Sequence, residues 1–83
     1  MTYTLTHHAR DAMDKRGIPE AWLRHTLVAP QWREPDARDP ELEHRLAVIP
    51  EHDHRVLRVI VNTQVTPERV VTLYFDRKMR GRL

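Results

Sequence analysis

A histidine and an arginine share one face of the first predicted helix and could take part in chemistry on a phosphate group. His8 and Arg16 lie two steps of four residues apart, which places them on the same side of a helix. From the helical rise they are about 12 Å apart along that face. They could flank a bound nucleotide, but they could not reach one substrate atom unaided. The residues alone favour a structural interpretation, in which His8 hydrogen-bonds locally and Arg16 stabilises the helix dipole.

The helix that would hold both side chains has recognisable ends. The hydroxyl of Thr6 can cap its first turn, and Gly17 stands where a left-handed residue commonly ends a helix. Its inward stripe comprises Ala9, Ala12, Met13 and Arg16. A second helix is predicted to open at residues 18–20, with Pro19 in its first turn, and to stop at Pro30.

Strand patterns precede and follow the helices. A weak strand runs through Tyr3 and Leu5, and residues 31–34 are either a short strand or an extended connector. Three longer strands are predicted at residues 43–49, 55–62 and 69–76. Their close spacing favours an antiparallel meander. The sequence therefore predicts one α+β domain over residues 1–83, with two short N-terminal helices packed on one face of a three- or four-stranded antiparallel sheet.

Alternation along the last two predicted strands separates two faces of the sheet. The wholly apolar face, expected beneath the helices, carries Leu57, Val59, Val61, Val71, Leu73 and Phe75. The opposite face is mixed, and Arg58, Thr72 and Tyr74 could converge there on a ligand. These residue types are also ordinary on the outer side of strands, and the sequence alone favours that structural interpretation.

Composition restricts the classes of protein and of chemistry. The chain has 83 residues, of which 40% are apolar, as is typical of one globular domain. No apolar run is long enough for a transmembrane helix, no signal-peptide pattern opens the sequence and cysteine is absent, so we expect a cytoplasmic protein. Cysteine and serine are both absent, which excludes disulfides and nucleophilic catalysis by Ser or Cys.

Positive charge is concentrated at the end of the chain. The formal net charge is only +2. The basic tail, residues 77–83, nevertheless contains Arg77, Lys78, Arg80 and Arg82. Such a tail could contact the phosphates of RNA or could serve as a solubilising end, and the sequence leaves both interpretations open.

Six histidines raise the question of a metal site. The pairs His7-His8 and His52-x-His54 are the obvious candidates. No cysteine ligand and no His-Glu-x-x-His motif accompanies them, so we expect neither a metal nor another cofactor.

The run from His8 to Ile18 carries a recognisable motif. Its pattern HAR-x-x-M-x-x-RGI resembles the opening of a bacterial family, the domain-of-unknown-function family 4258. The strand from Arg55 to Val61 and the run Val70-Val71-Thr72-Leu73-Tyr74 are similar to the later part of that family's pattern. The resemblance extends over residues 5–76.

This family is in turn similar to the RelE and BrnT toxins of bacterial toxin–antitoxin pairs. Those toxins place N-terminal helices on an antiparallel sheet and cleave RNA without a metal. The resemblance therefore implies a RelE-like fold, a toxin that acts as a ribonuclease on free or ribosome-bound RNA, and a cognate antitoxin protein as partner. The alternative is a non-catalytic RNA- or protein-binding module of the same fold.

Metal-free cleavage needs a base for the ribose 2′-hydroxyl, an acid for the leaving 5′-oxygen and cations for the phosphorane. The resemblance assigns His8 to proton transfer and Arg16 to phosphate binding. It also assigns Thr72 and Tyr74 to hydrogen bonds with the phosphate, and Tyr74 could stack on a base instead.

Two further candidates come from face assignment and residue chemistry. Arg58 is a phosphate-binding candidate because a guanidinium matches phosphate with a bidentate fork. His44 is a second proton-transfer candidate because imidazole titrates near neutrality. The predicted catalytic residues are thus His8, Arg16, Arg58, Thr72, Tyr74 and His44. They form one site only if the first helix lies at the sheet edge or the sheet curls strongly.

Overall fold

The computed structural model describes residues 2–83, which form two helices and five strands in an α+β arrangement. The elements are β1 (Tyr3–Leu5), α1 (His7–Arg16), α2 (Glu20–Val28), β2 (Trp32–Pro35), β3 (Leu42–Ile49), β4 (Arg55–Asn62) and β5 (Glu68–Phe75). Two short 3₁₀ turns occupy Pro50–His52 and Arg77–Met79. The predicted helix and strand positions are confirmed to within a residue or two, except that Pro19 precedes α2 as its N-cap.

Both ends of α1 are formed as the sequence predicts. The Thr6 hydroxyl accepts a hydrogen bond from the Ala9 N–H at 3.0 Å and donates one to the Val71 carbonyl at 2.8 Å. One side chain therefore caps the helix and fastens its start to β5. At the other end Gly17 adopts φ 60°, a left-handed conformation that suits glycine.

Substituting Gly17→Ala is expected to lower the free energy of unfolding by about 1 kcal/mol, because a Cβ strains a left-handed residue. A Cβ built there meets no atom within 4 Å, so the expected loss comes from backbone conformation alone. Urea unfolding followed by circular dichroism measures it. Gly81→Ala is the matched control: Gly81 has φ 79° but lies near the chain end, where fraying limits the effect on global unfolding. Equal losses in both variants would contradict this account.

The sheet differs from the prediction in strand number and direction. Its order is β1-β5-β4-β3-β2, so it has five strands instead of three or four. The prediction of a wholly antiparallel sheet was wrong, because edge strand β1 pairs in parallel with β5. The helices are not strictly N-terminal, since β1 precedes them. The meander β3-β4-β5 is antiparallel as expected, because short connections favour that pairing.

A β-bulge changes which residues of β5 face the helices. The register between β4 and β5 shifts between Ile60 and Val61, so Val61 pairs with Val70. Val70 is therefore fully buried, whereas Val71, which was assigned to the core face, is only half-buried. Beyond the bulge Leu73 and Phe75 keep their predicted face. An extra residue in one strand reverses the alternation, and the sequence pattern does not reveal it.

Both helices pack on one face of the sheet around an apolar core. Ala9 and Ala12 of α1 and Leu23 and Leu27 of α2 are buried against the inner faces of β4 and β5. The ten residues of α1 extend about 15 Å, the length of roughly five strand residues. Because α1 starts beside Val70, it delivers Arg16 to the far end of β5.

Within residues 2–83, neither helix is both long and apolar enough to cross a membrane.

Candidate functional site

A cleft of about 670 Å³ opens at the end of the sheet where β4 begins and β5 ends. Four arginines line it: Arg16 from the last turn of α1, Arg55 from the start of β4, and Arg77 and Arg80 from the segment after β5. They come from three separate parts of the sequence, with Arg77 and Arg80 close together, and they meet because antiparallel β4 and β5 bring their opposite ends together. We call this the arginine cleft.

The arginine cleft is strongly cationic. Within residues 2–83, no carboxylate lies within ion-pairing distance of Arg16, Arg55 or Arg77. The carboxylate among the lining residues is that of Asp76, and it already accepts hydrogen bonds from the Arg58 Nε at 2.8 Å and the Lys78 N–H at 3.0 Å. The cleft therefore offers guanidinium forks that a bound anion could satisfy.

Arg80 is held in place by the turn before β4. Its Nη2 donates to both the carbonyl oxygen and Oδ2 of Asp53, each at 2.9 Å. Asp53 and His54 both adopt left-handed conformations, with φ 58° and 56°. Asp tolerates this conformation better than most residues, and the tight turn brings the segment before β4 beside the end of the chain. The basic tail is thus folded onto the sheet end, at least as far as Arg80.

The same turn places an imidazole in the wall of the arginine cleft. His52 contacts two aromatic rings, Trp22 at a centroid distance of 5.1 Å and Phe75 at 4.6 Å. His52 and Phe75 both line the cleft, whereas Trp22 lines a separate depression against α2 and Pro50. One wall of the cleft is therefore aromatic, and the arginines supply the positive charge that would attract an anion.

A second polar cluster occupies the sheet face away from the helices, centred on Arg58. Its Nε donates to Asp76, and its Nη1 contacts Glu34 Oε1 at 2.9 Å and His44 Nδ1 at 2.7 Å. Only 11% of the Arg58 side chain is exposed. Burial opposes the charge, but the hydrogen bonds that Arg58 donates to Glu34 and Asp76 outweigh burial and raise the pKa of Arg58. These carboxylates already occupy much of the guanidinium that was predicted to bind phosphate.

His44 is held at both ring nitrogens. Its Nδ1 faces the Arg58 donor, and its Nε2 lies 2.7 Å from Asp36 Oδ1. The tautomer that satisfies both contacts carries its proton on Nε2 and donates it to Asp36. Neither nitrogen is then free to exchange a proton with a substrate. The arrangement supports a structural role, in which His44 connects the loop after β2 to the middle of the sheet.

Asp36, which joins this cluster from the loop after β2, makes the free energy of unfolding depend on pH in the acid range. The His44 hydrogen bond, supported by the backbone N–H groups of Asp39 and Arg38, lowers the pKa of Asp36 to about 2. A carboxyl whose folded pKa is depressed stabilises the protein above its unfolded pKa near 4 and loses that stabilisation as the pH falls towards 2.

We therefore expect Asp36→Asn to flatten the decrease in unfolding free energy between about pH 4 and pH 2 relative to the wild type. Urea unfolding at a series of pH values measures the slope. Asp14→Asn is the control, since Asp14 is exposed on α1 and makes no side-chain ion pair within residues 2–83. If Asp36→Asn and the wild type lose unfolding free energy equally steeply between pH 4 and pH 2, Asp36 does not cause the acid destabilisation.

The residues predicted to be catalytic are distributed over two faces and do not meet in one cleft. Arg16 lines the arginine cleft. His8 is exposed in the first turn of α1, at the opposite end of that helix. Thr72 and Tyr74 lie on the face away from the helices, where they pair with Ile60 and Arg58. Asp76 lies between the two groups, because it lines the cleft and also binds Arg58.

The basic tail divides in the same way. Arg77 and Arg80 line the arginine cleft, whereas Lys78 and Arg82 are exposed and do not line it. Sequence reasoning missed Arg55 and His52. Arg55 begins β4, where its sequence pattern indicates an ordinary outward strand residue. His52 lies in a turn, and the sequence suggested it only as a metal ligand. Within residues 2–83, no group of three or more His, Cys, Asp or Glu side chains is placed to hold a metal ion.

Comparison with known proteins identifies one family. The model of the family described as Domain of unknown function (DUF4258) matches residues 5–75, which confirms the resemblance seen in the motifs. No curated protein and no solved structure matches the chain. The similarity to RelE and BrnT toxins therefore stays a prediction.

Proposed function

The chain belongs to the DUF4258 family, and we propose that it binds RNA through phosphate groups held in the arginine cleft. The observation that carries the proposal is the convergence of Arg16, Arg55, Arg77 and Arg80 on one concave surface. Arg77 and Arg80 belong to the basic tail, whereas Arg16 and Arg55 come from two other parts of the chain, so only the folded protein brings all four together.

Phosphate is the anion that this set of side chains suits best. A guanidinium offers a planar fork of donors that matches two phosphate oxygens, and it remains charged at every physiological pH. Three of the four arginines, Arg16, Arg55 and Arg77, have no carboxylate partner within residues 2–83, so an incoming phosphate does not have to displace one. A chain of phosphates satisfies several such groups at once, which favours a nucleic acid over a single ion. The resemblance to RNA-cleaving toxins supports RNA as that nucleic acid.

Binding without cleavage is the function that the geometry supports best. Metal-free cleavage needs proton-transfer groups beside the bound phosphate. Neither predicted candidate meets this need, because His8 is at the other end of α1 and both nitrogens of His44 are engaged. His52 does line the cleft, but its ring packs against Trp22 and Phe75, an arrangement that suits stacking better than proton transfer. The non-catalytic RNA-binding module is therefore preferred to the ribonuclease. The toxin role and the cognate antitoxin stay predictions.

The direct test is fluorescence anisotropy with a labelled single-stranded RNA at increasing salt concentration. If three or four arginines contact phosphates, the logarithm of the binding constant should fall against the logarithm of the salt concentration with a slope of about −2 to −3. Saturable binding with such a slope supports the proposal. Absence of binding at low salt would contradict it.

A cleavage assay in EDTA, on free RNA and on translating ribosomes, distinguishes the two functions. Binding without new RNA ends supports the non-catalytic module. Cleavage that leaves cyclic phosphate ends in the presence of EDTA would instead support the metal-free ribonuclease and would make His52, which lines the cleft, the first proton-transfer group to substitute.

A further inference from the structure

The arginine cleft has an aromatic wall beside its four arginines. His52 and Phe75 line the cleft together with the arginines, and neither side chain carries a fixed charge. Phe75 has no hydrogen-bond donor and the His52 ring packs against it, so phosphate binding alone does not account for this wall. The combination of a cationic side and an aromatic side instead matches the two parts of a nucleotide, its phosphate and its base.

The arrangement of the three rings leaves one face of His52 without an aromatic neighbour. The centroids of Trp22 and Phe75 are 6.2 Å apart. If they covered opposite faces of His52, their separation would be close to the sum of their distances from it, 5.1 and 4.6 Å. Because the two centroids are much closer than that, Trp22 and Phe75 cannot lie on opposite faces of the imidazole. His52 is half-buried and lines the cleft, so ring surface remains accessible there.

The cleft also has suitable dimensions and a fixed wall. Its volume of about 670 Å³ lies in the range of sites that accommodate small molecules the size of a nucleotide. Tilted contacts with Trp22 and Phe75, at interplanar angles of 37° and 39°, restrict the rotation of the His52 ring. A ring that is already ordered loses little conformational entropy when a base stacks on it.

We propose that His52 and Phe75 form a stacking subsite for one unpaired base, so that the ligand is single-stranded RNA. The proposal rests on the proposed function, since the arginines supply the adjacent phosphate contacts. In a duplex each base is stacked on its neighbours on both faces and cannot enter a cleft without being extruded. A single strand presents its bases freely, and stacking on an aromatic side chain contributes about tenfold or more in affinity per base.

The test compares two labelled probes of equal length: a single-stranded RNA and a ribose-phosphate strand with abasic internal positions. Both carry the same phosphates, so the arginines should bind both, and the abasic strand should bind about tenfold more weakly. A fully paired RNA duplex should also bind more weakly than the single strand. These comparisons use the wild-type protein and do not depend on whether a variant folds.

Two substitutions at one position then assign the effect to a residue. His52→Ala is expected to weaken binding of the intact strand about tenfold and to leave binding of the abasic strand unchanged. His52→Phe keeps a flat ring and should preserve the preference for the intact strand. Equal affinity of wild type for intact and abasic strands would overturn the stacking subsite while leaving RNA binding standing. Failure to bind either strand would overturn both.

Discussion

Replacing Arg16 and Arg55 together by glutamine is expected to lower the affinity for single-stranded RNA by about tenfold to 100-fold, with little change in the free energy of unfolding. Both side chains are exposed and line the arginine cleft. Hydrogen bonds to charged groups are worth about 1.5–3 kcal/mol each, and solvent exposure reduces that contribution. Anisotropy measures the affinity, and urea unfolding checks that the fold is intact.

The matched control removes a cation from the other end of the sheet. Arg38 lies in the loop before β3, beyond the end of the sheet opposite the cleft, and it is exposed. Arg38→Gln should therefore lower the affinity for RNA far less than the double substitution of Arg16 and Arg55. The double variant should also reduce the steepness of the salt dependence by about 1.4, since each lost phosphate contact removes roughly 0.7. Equal effects of the control and the cleft substitutions would indicate non-specific attraction instead of a site.

Arg58→Met is expected to have the largest effect on stability, a loss of about 3 kcal/mol or more in the free energy of unfolding. Removing one partner of a buried ion pair leaves the other charges without compensation. Here the partners left behind are Glu34 and Asp76, with His44 also losing its Nδ1 contact. For a domain of this size the melting temperature should fall by more than about 12 °C.

Two comparison variants keep this prediction informative if Arg58→Met does not fold. Arg58→Lys retains the charge but loses the fork, and should be destabilised less than Arg58→Met. Arg77→Met makes the same replacement at an exposed arginine of the cleft, and should change stability by no more than about 0.5 kcal/mol. If Arg58→Met is as stable as Arg77→Met, the cluster around Arg58 does not stabilise the fold.

The sequence by itself determined the local elements of this protein. Thr6 and Gly17 mark the ends of α1 because a hydroxyl cap and a left-handed glycine act over a few residues. The alternation in β4 assigns Leu57, Val59 and Val61 to the core, and all three are fully buried. The helical part of the family motif, from His8 to Ile18, is likewise local, and the family match over residues 5–75 includes it. In each case the physical cause lies within one turn of helix or one strand.

Only the tertiary structure decided which side chains meet. The parallel pairing of β1 with β5 joins residues more than 60 positions apart, for example Tyr3 and Glu68. The residue pattern of a strand does not indicate which other strand it pairs with. One bulged residue exchanged the roles of Val70 and Val71. Arg58, an outward strand residue in the pattern, is enclosed by carboxylates from β2 and from the end of β5. The arginine cleft exists for the same reason: long-range strand pairing and the length of α1 bring Arg16 and Arg55 beside Arg77 and Arg80 of the basic tail.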